Sequence, residues 1–133
     1  IMSIILDTNC YNIFIDGDKK VIKKAFDSSI IYVSAITIGE LYSGFYKGNR
    51  LEENRGVLKR FLANKKVNIA NITKETSEIY GQTLSNLLKA GVPIPTNDIW
   101  IAACAIETNS TLITYDKHFL KIPNLKLWNG IKK

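Results

Sequence analysis

Four short apolar runs punctuate the chain: Ile4-Ile5-Leu6, Ile30-Ile31-Tyr32-Val33, Val67-Asn68-Ile69-Ala70 and Thr111-Leu112-Ile113-Thr114. Longer segments, most with helical spacing of their apolar residues, separate each run from the next. Runs of this length, bounded by turn and capping residues, are strands. Ile4-Ile5-Leu6 is apolar at every position, the pattern of a strand buried on both faces. Strands that alternate with helices form a parallel sheet through right-handed crossovers, with helices on both faces. Leu125–Leu127 is a candidate fifth strand. The expected fold is therefore α/β: three layers, α/β/α, around a central, mainly parallel sheet of four to five strands. No internal repeat, low-complexity tract or linker interrupts the chain, so residues 2–133 read as one domain.

The intervening segments have recognisable ends. Thr8 or Asn9 can cap a helix over Cys10–Ile15, and Asp16-Gly17-Asp18 reads as a turn. Lys19–Phe26 has Val21, Ile22, Ala25 and Phe26 at helical spacing. Ser34 offers an N-cap for a helix that contains Glu40 and ends near Gly44. Leu51–Lys66 is a fourth helix, with Leu51, Leu58, Phe61 and Leu62 inward. Thr73 caps a long helix that Gly91 ends, and Pro93 and Pro95 hold an extended loop before Asn97-Asp98 opens the next helix, through Glu107.

Four acidic residues sit inside or against these apolar stretches. Asp7 ends the first strand, Glu40 lies within Ala35-Ile36-Thr37-Ile38-Gly39-Glu40-Leu41, Asp98 precedes Ile99 to Ile106, and Asp116 follows the fourth strand. A carboxylate taken out of water is costly unless it is paired, hydrogen-bonded or on a metal. In open parallel sheets the ligand crevice lies outside the carboxyl ends of the strands. Asp7 and Asp116 are at strand ends, while Glu40 and Asp98 are on helices that start from the same edge. The topology therefore predicts that all four meet. Clustered carboxylates repel each other and call for hard divalent cations, which favour oxygen ligands. Two such ions can hold the attacking and leaving oxygens of a phosphodiester, and one ion activates a water as nucleophile.

Taken singly, each acid has a plainer reading. Asp7 can be a helix cap, Asp98 can serve the helix dipole, Asp116 can be a turn acid, and Glu40 can face solvent. Their joint placement favours a site. Asn9 can hydrogen-bond Asp116 or act as a cap. His118, the one histidine, orients the Asp116 loop. Lys47, Arg50, Arg55, Lys59 and Arg60 form a basic run, with Arg55 and Lys59 on one helix face. Tyr11, Tyr42, Phe45 and Tyr46 can stack bases or fill core.

Composition narrows the classes. The hydrophobic fraction of 46% and charged fraction of 23% belong to an ordered globular chain. No apolar run approaches the ~18–20 residues of a membrane helix, and no secretory signal is visible, so a cytoplasmic protein without a membrane partner is expected. Cys10 and Cys104 belong to no metal-ligand motif and read as buried free thiols. The net charge of +6 suits a polyanion held near a metal site.

Asp7-Thr8-Asn9, Ile38-Gly39-Glu40-Leu41-Tyr42-Ser43-Gly44, Asn97-Asp98 through Ala105, and Leu112-Ile113-Thr114-Tyr115-Asp116-Lys117-His118-Phe119 together resemble PIN-domain nucleases. Among these the chain is most similar to the VapC-type toxins of toxin–antitoxin pairs. The resemblance extends from Ile4 to about Leu127. It implies a PIN-like fold, endoribonuclease activity dependent on Mg²⁺ or Mn²⁺, a homodimer, and an antitoxin whose tail fills the acidic cleft. Carried over by motif, Asp7, Asp98, Asp116 and Glu40 are the catalytic metal ligands, with Asn9 and Thr114 in support. Water would attack the RNA phosphodiester in line and leave 5′-phosphate and 3′-hydroxyl ends. Two other readings stay open. A haloacid-dehalogenase-like phosphatase also begins with an aspartate after its first strand, but wants a second at the position of Asn9. A non-catalytic RNA-binding or interaction module on the same fold is the other.

Overall fold

The protein was analysed as a computed structural model that describes residues 2–132; Lys133, the end of the expected domain, lies outside the described residues. Four strands form the sheet: β1 (Ser3–Leu6), β2 (Ile30–Ser34), β3 (Val67–Ala70) and β4 (Thr111–Ile113). Their order is β3-β2-β1-β4 and every pairing is parallel. Six helices connect them: α1 (Thr8–Ile15), α2 (Lys19–Asp27), α3 (Ala35–Lys47), α4 (Leu51–Leu62), α5 (Lys74–Lys89) and α6 (Thr96–Glu107).

Alternation along the strands divides the core in two. Ile4, Leu6, Ile31, Val33 and Ile113 pack with Cys10, Val21, Leu41 and Leu58 from α1 to α4. Ile5 and Leu112 point the other way, against Leu87, Ile99, Ala102 and Cys104 of α5 and α6. A strand covered on both faces has to be apolar at successive positions, which is why Ile4, Ile5 and Leu6 are all fully buried. Each such side chain contributes about 1.5–3 kcal/mol of burial free energy.

Several boundaries depart from expectation. The helix expected to stop near Gly44 continues to Lys47, because Phe45 is buried and gains packing from another turn. The helix expected to reach Lys66 stops at Leu62; the Val67 amide donates to the Asn64 carbonyl as the chain turns into β3. On α2 the core takes Val21 and Ala25, whereas Ile22 and Phe26, which share the helical spacing, are exposed. The expected fifth strand is a single bridge between Leu112 and Leu127, just after Pro123 and the left-handed Asn124. Gly91 also has positive φ, at 70°, as its role in ending α5 requires.

Candidate metal centre

Parallel pairing brings the carboxyl ends of all strands to one edge, and the four acids meet there. Asp7 extends the β1–β4 ladder by one step, its amide donating to the Ile113 carbonyl at 3.3 Å. That places its side chain beside Thr114, where it is only 5% exposed. Oδ1 accepts the Cys10 amide at 2.8 Å and Oδ2 accepts the Thr114 hydroxyl at 2.5 Å. Asp7 is thus the N-cap of α1, as its plainer reading allowed, and neither Thr8 nor Asn9 takes that role. Burial pushes its pKa up, the bonds from Thr114 and Cys10 oppose this, and Asp116 adds to the rise.

Thr114 also accepts the Asp116 amide at 3.0 Å, so one hydroxyl ties two of the acids together. Trp128 in turn anchors the Thr114 carbonyl through its indole N–H, at 2.7 Å. Oδ1 of Asp116 accepts the His118 amide at 2.9 Å and lies 3.2 Å from His118 Nδ1. The expected loop-orienting role of His118 is visible in that backbone bond, but its ring is also part of the site.

Glu40 is in the second turn of α3. Its Oε1 accepts the Thr8 hydroxyl, and its Oε2 accepts the Asn97 amide at 3.1 Å. Thr8 lies on α1 and Asn97 on α6, so Glu40 joins three helices. Asp98 is half-buried in the first turn of α6. Its pKa is pushed up to about 6, first by burial and then by the charges of Asp116, Glu40 and Asp7, with His118 opposing.

The four carboxylates line one cleft of about 190 Å³ together with Thr8, Asn9 and Ile101. Donor atoms of Asp98, Asp116 and His118 all lie within 4.8 Å of one another. Oxygen-rich donors at this spacing, with mutual repulsion already raising one pKa, fit a hard divalent cation.

The structure therefore brings together all four predicted acids and Thr114. Asn9 lines the cleft but makes no hydrogen bond to Asp116 among the described residues. Thr8, Asn97 and the ring of His118 are site residues that the sequence reading did not single out, although the motifs that carry the resemblance contain all three. Tyr11 and Phe45 are core residues, and Arg55 is engaged by Glu52 and by Tyr46, at 2.6 Å from the phenol. Trp100, large for its place on α6, stacks on Tyr80 with ring centroids 3.8 Å apart. A larger cavity, of about 630 Å³, is an apolar groove lined by Phe14, Ile22, Phe26, Val57 and Phe61. It is lined by none of the four acids.

Comparison with known proteins gives the chain's family. The family model described as PIN domain matches residues 4–125. Ribonuclease VapC2 of Rickettsia felis is 35% identical over 106 residues, 79% of this chain and 78% of the relative. The solved structure of VapBC2 from Rickettsia felis, bound to a DNA fragment from its promoter, superposes with a TM-score of 0.87 at 30% identity, covering 96% of this chain and 98% of that one. VapBC-1 from nontypeable Haemophilus influenzae gives a TM-score of 0.84 at 28% identity, covering 99% and 100%.

Proposed function

Since the chain belongs to the PIN-domain family, we propose that it is an Mg²⁺- or Mn²⁺-dependent endoribonuclease and the toxin of a VapBC-type pair. The observation that supports this most is the convergence of Asp7, Glu40, Asp98 and Asp116 on one small cleft. Asp98 and Asp116, whose donor atoms cluster with that of His118, would hold the ion, and Asp7 and Glu40 would complete its acidic surroundings in the cleft. When bound, the cation supplies a water more acidic than bulk and offsets charge that builds on phosphorus.

The residues themselves do the positioning. Thr114 bonds the Asp7 carboxylate and the Asp116 backbone amide, and the Asp116 carboxylate accepts the His118 amide, so neither carboxylate can swing out of the cleft without losing a bond. Thr8 and Asn97 donate to the two oxygens of Glu40 and hold its carboxylate in place. Ile101, 1% exposed, forms the apolar part of the cleft wall. Asn9, exposed in the cleft lining, would hydrogen-bond a phosphate or sugar oxygen.

The relatives assembled as VapBC complexes supply the partner class. An antitoxin would meet this chain on two surfaces. One is the acidic cleft, which a basic tail can fill. The other is the apolar groove, where Phe26 is 81% exposed and invites an amphipathic helix. No described helix is long and apolar enough to cross a membrane. A cytoplasmic location follows from this reading, since RNA and antitoxin are there.

Incubation of purified, antitoxin-free protein with structured RNA tests the activity. Cleavage is expected with Mg²⁺ or Mn²⁺, and none with EDTA or in Asp7→Asn or Asp98→Asn. Cleavage that survives EDTA or both substitutions overturns the metal-site mechanism. RNA binding without any cleavage, metal being present, points instead to the non-catalytic module.

A further inference from the structure

The acidic cleft leaves most of the chain's positive charge unexplained, since a substrate phosphate there faces carboxylates. A run of cations lies close by. Tyr115, next to Asp116, is 38% exposed and touches two elements outside the cleft. Its hydroxyl lies 3.4 Å from Oδ2 of Asp18, the N-cap of α2, and its ring meets Trp128 edge-on at 5.3 Å between centroids. Beyond Tyr115, α2 and the C-terminal 3-10 turn at Asn129–Lys132 enclose a groove of about 390 Å³. Lys20, Lys23, Lys24 and Asp27 line one side, and Trp128, Asn129 and Gly130 the other.

The groove is shaped by specific packing. Trp128 is fixed through Thr114, itself bonded to Asp7, so the groove wall and the cleft share one anchor. A Cβ at Gly130 would lie 2.7 Å from the Trp128 ring, so only glycine lets the C-terminal turn lie against it. Lys23 pairs with Asp27 at 3.1 Å, but both are exposed, and such a pair is worth little against a phosphate. The lysine face of α2 is distinct from the side that shows Ile22 and Phe26 to the apolar groove. A protein on that groove would leave the lysines accessible.

We propose that the groove between α2 and the C-terminal turn binds the phosphates of single-stranded RNA flanking the bond held in the cleft, through Lys20, Lys23 and Lys24. This rests on the ribonuclease reading, and it adds where the strand runs. A polyanion crossing from the cleft over Tyr115 reaches three ammonium groups along a helix about 13 Å long. The link from groove to cleft through Trp128, Tyr115 and Thr114, with charge complementarity, favours RNA over an acidic protein segment.

The test uses the full chain with Asp98→Asn, so that RNA is bound and not cut. Lys20→Gln, Lys23→Gln and Lys24→Gln are added together, since glutamine preserves helix propensity. A control removes the same charge elsewhere with Lys65→Gln, Lys74→Gln and Lys89→Gln. Circular dichroism confirms that both variants fold. Affinity for a labelled single-stranded RNA is followed against salt. Three lost phosphate contacts predict a slope of log Kd against log salt shallower by about 2, and affinity about 100-fold weaker near 0.1 M salt. The control should change far less. A groove variant with the slope and affinity of the control overturns the proposal, whatever the cleavage result. So does one that loses polyglutamate binding but keeps its RNA slope. A separate arm measures RNA cleavage by the wild-type protein with Mn²⁺. If nothing is cut while the groove variant still loses RNA, the nuclease reading fails and the groove stands. If RNA is cut and the groove variant behaves like the control, the reverse holds.

Discussion

Asp7 is asked both to cap a helix and to supply charge, and two substitutions separate these tasks. Asparagine keeps an oxygen for the Cys10 amide and removes the charge. Alanine removes both and leaves the Cys10 amide and the Thr114 hydroxyl without their carboxylate partner. The lost cap at the Cys10 amide costs about 1 kcal/mol, and the orphaned Thr114 hydroxyl roughly 1–2 more. Asp7→Ala should therefore unfold about 2–3 kcal/mol below Asp7→Asn, on the order of 10 °C for a domain of this size.

The comparison with wild type turns on sign. Asp7's pKa is raised by folding. Between the ordinary carboxylate value and the raised one, the folded chain therefore binds a proton that the unfolded chain has released. Stability contributed at this site falls as pH rises through that window and stays low above it. At neutral pH in a chelator, Asp7→Asn should thus match or exceed wild type. Saturating Mn²⁺ should reverse the order, because a ligand at 100 times its Kd stabilises the protein that binds it by about 2.7 kcal/mol. Thermal unfolding at neutral pH, with EDTA and across a Mn²⁺ titration, reads both effects. An Asp7→Asn protein that melts below wild type in EDTA, or gains the same shift from Mn²⁺, refutes the reasoning.

Other residues give independent tests. Asp98, with a pKa near 6 against an ordinary 3.8, makes the metal-free protein lose stability as pH rises between those values. The full shift corresponds to about 3 kcal/mol, and solvent screening of a half-exposed group reduces it to about 1; Asp98→Asn should flatten that slope in pH-dependent urea unfolding. Thr114→Val keeps the volume but removes the hydroxyl between Asp7 and Asp116, and should lower Mn²⁺ affinity by about 10–100-fold, with Thr114→Ser restoring most of it. Tyr11 is 2% exposed, and its hydroxyl is buried without a partner among the described residues, so Tyr11→Phe should raise stability by about 1 kcal/mol in chemical denaturation. Asn97→Ala frees one oxygen of Glu40 and should weaken Mn²⁺ binding, measured by calorimetry, less than Asp98→Asn does.

The parallel sheet and the cleft were legible because both follow from period and topology. Ile4-Ile5-Leu6 can only be buried on both faces, and a parallel sheet then brings Asp7, Asp116 and the starts of α3 and α6 to one edge. What escaped depended on contacts across the chain. Thr8 looks like a cap until Glu40, on another helix, accepts its hydroxyl. Asn97 reads as a helix opener until it meets the same glutamate across 57 residues of sequence. Ile22 and Phe26 have the spacing of core residues, yet only two positions on α2 fit under the sheet. Phe45 overrides Gly44 as a helix end because its burial outweighs the glycine's weak propensity.

Diffraction from crystals soaked in Mn²⁺, with an anomalous difference map, locates the cation most directly. An anomalous peak is expected in the cleft, bounded by Asp7, Asp98 and Asp116 and absent in Asp98→Asn. A cleft without a peak at saturating Mn²⁺, or an ion bound away from these carboxylates, would contradict the assignment of the four acids to a metal centre.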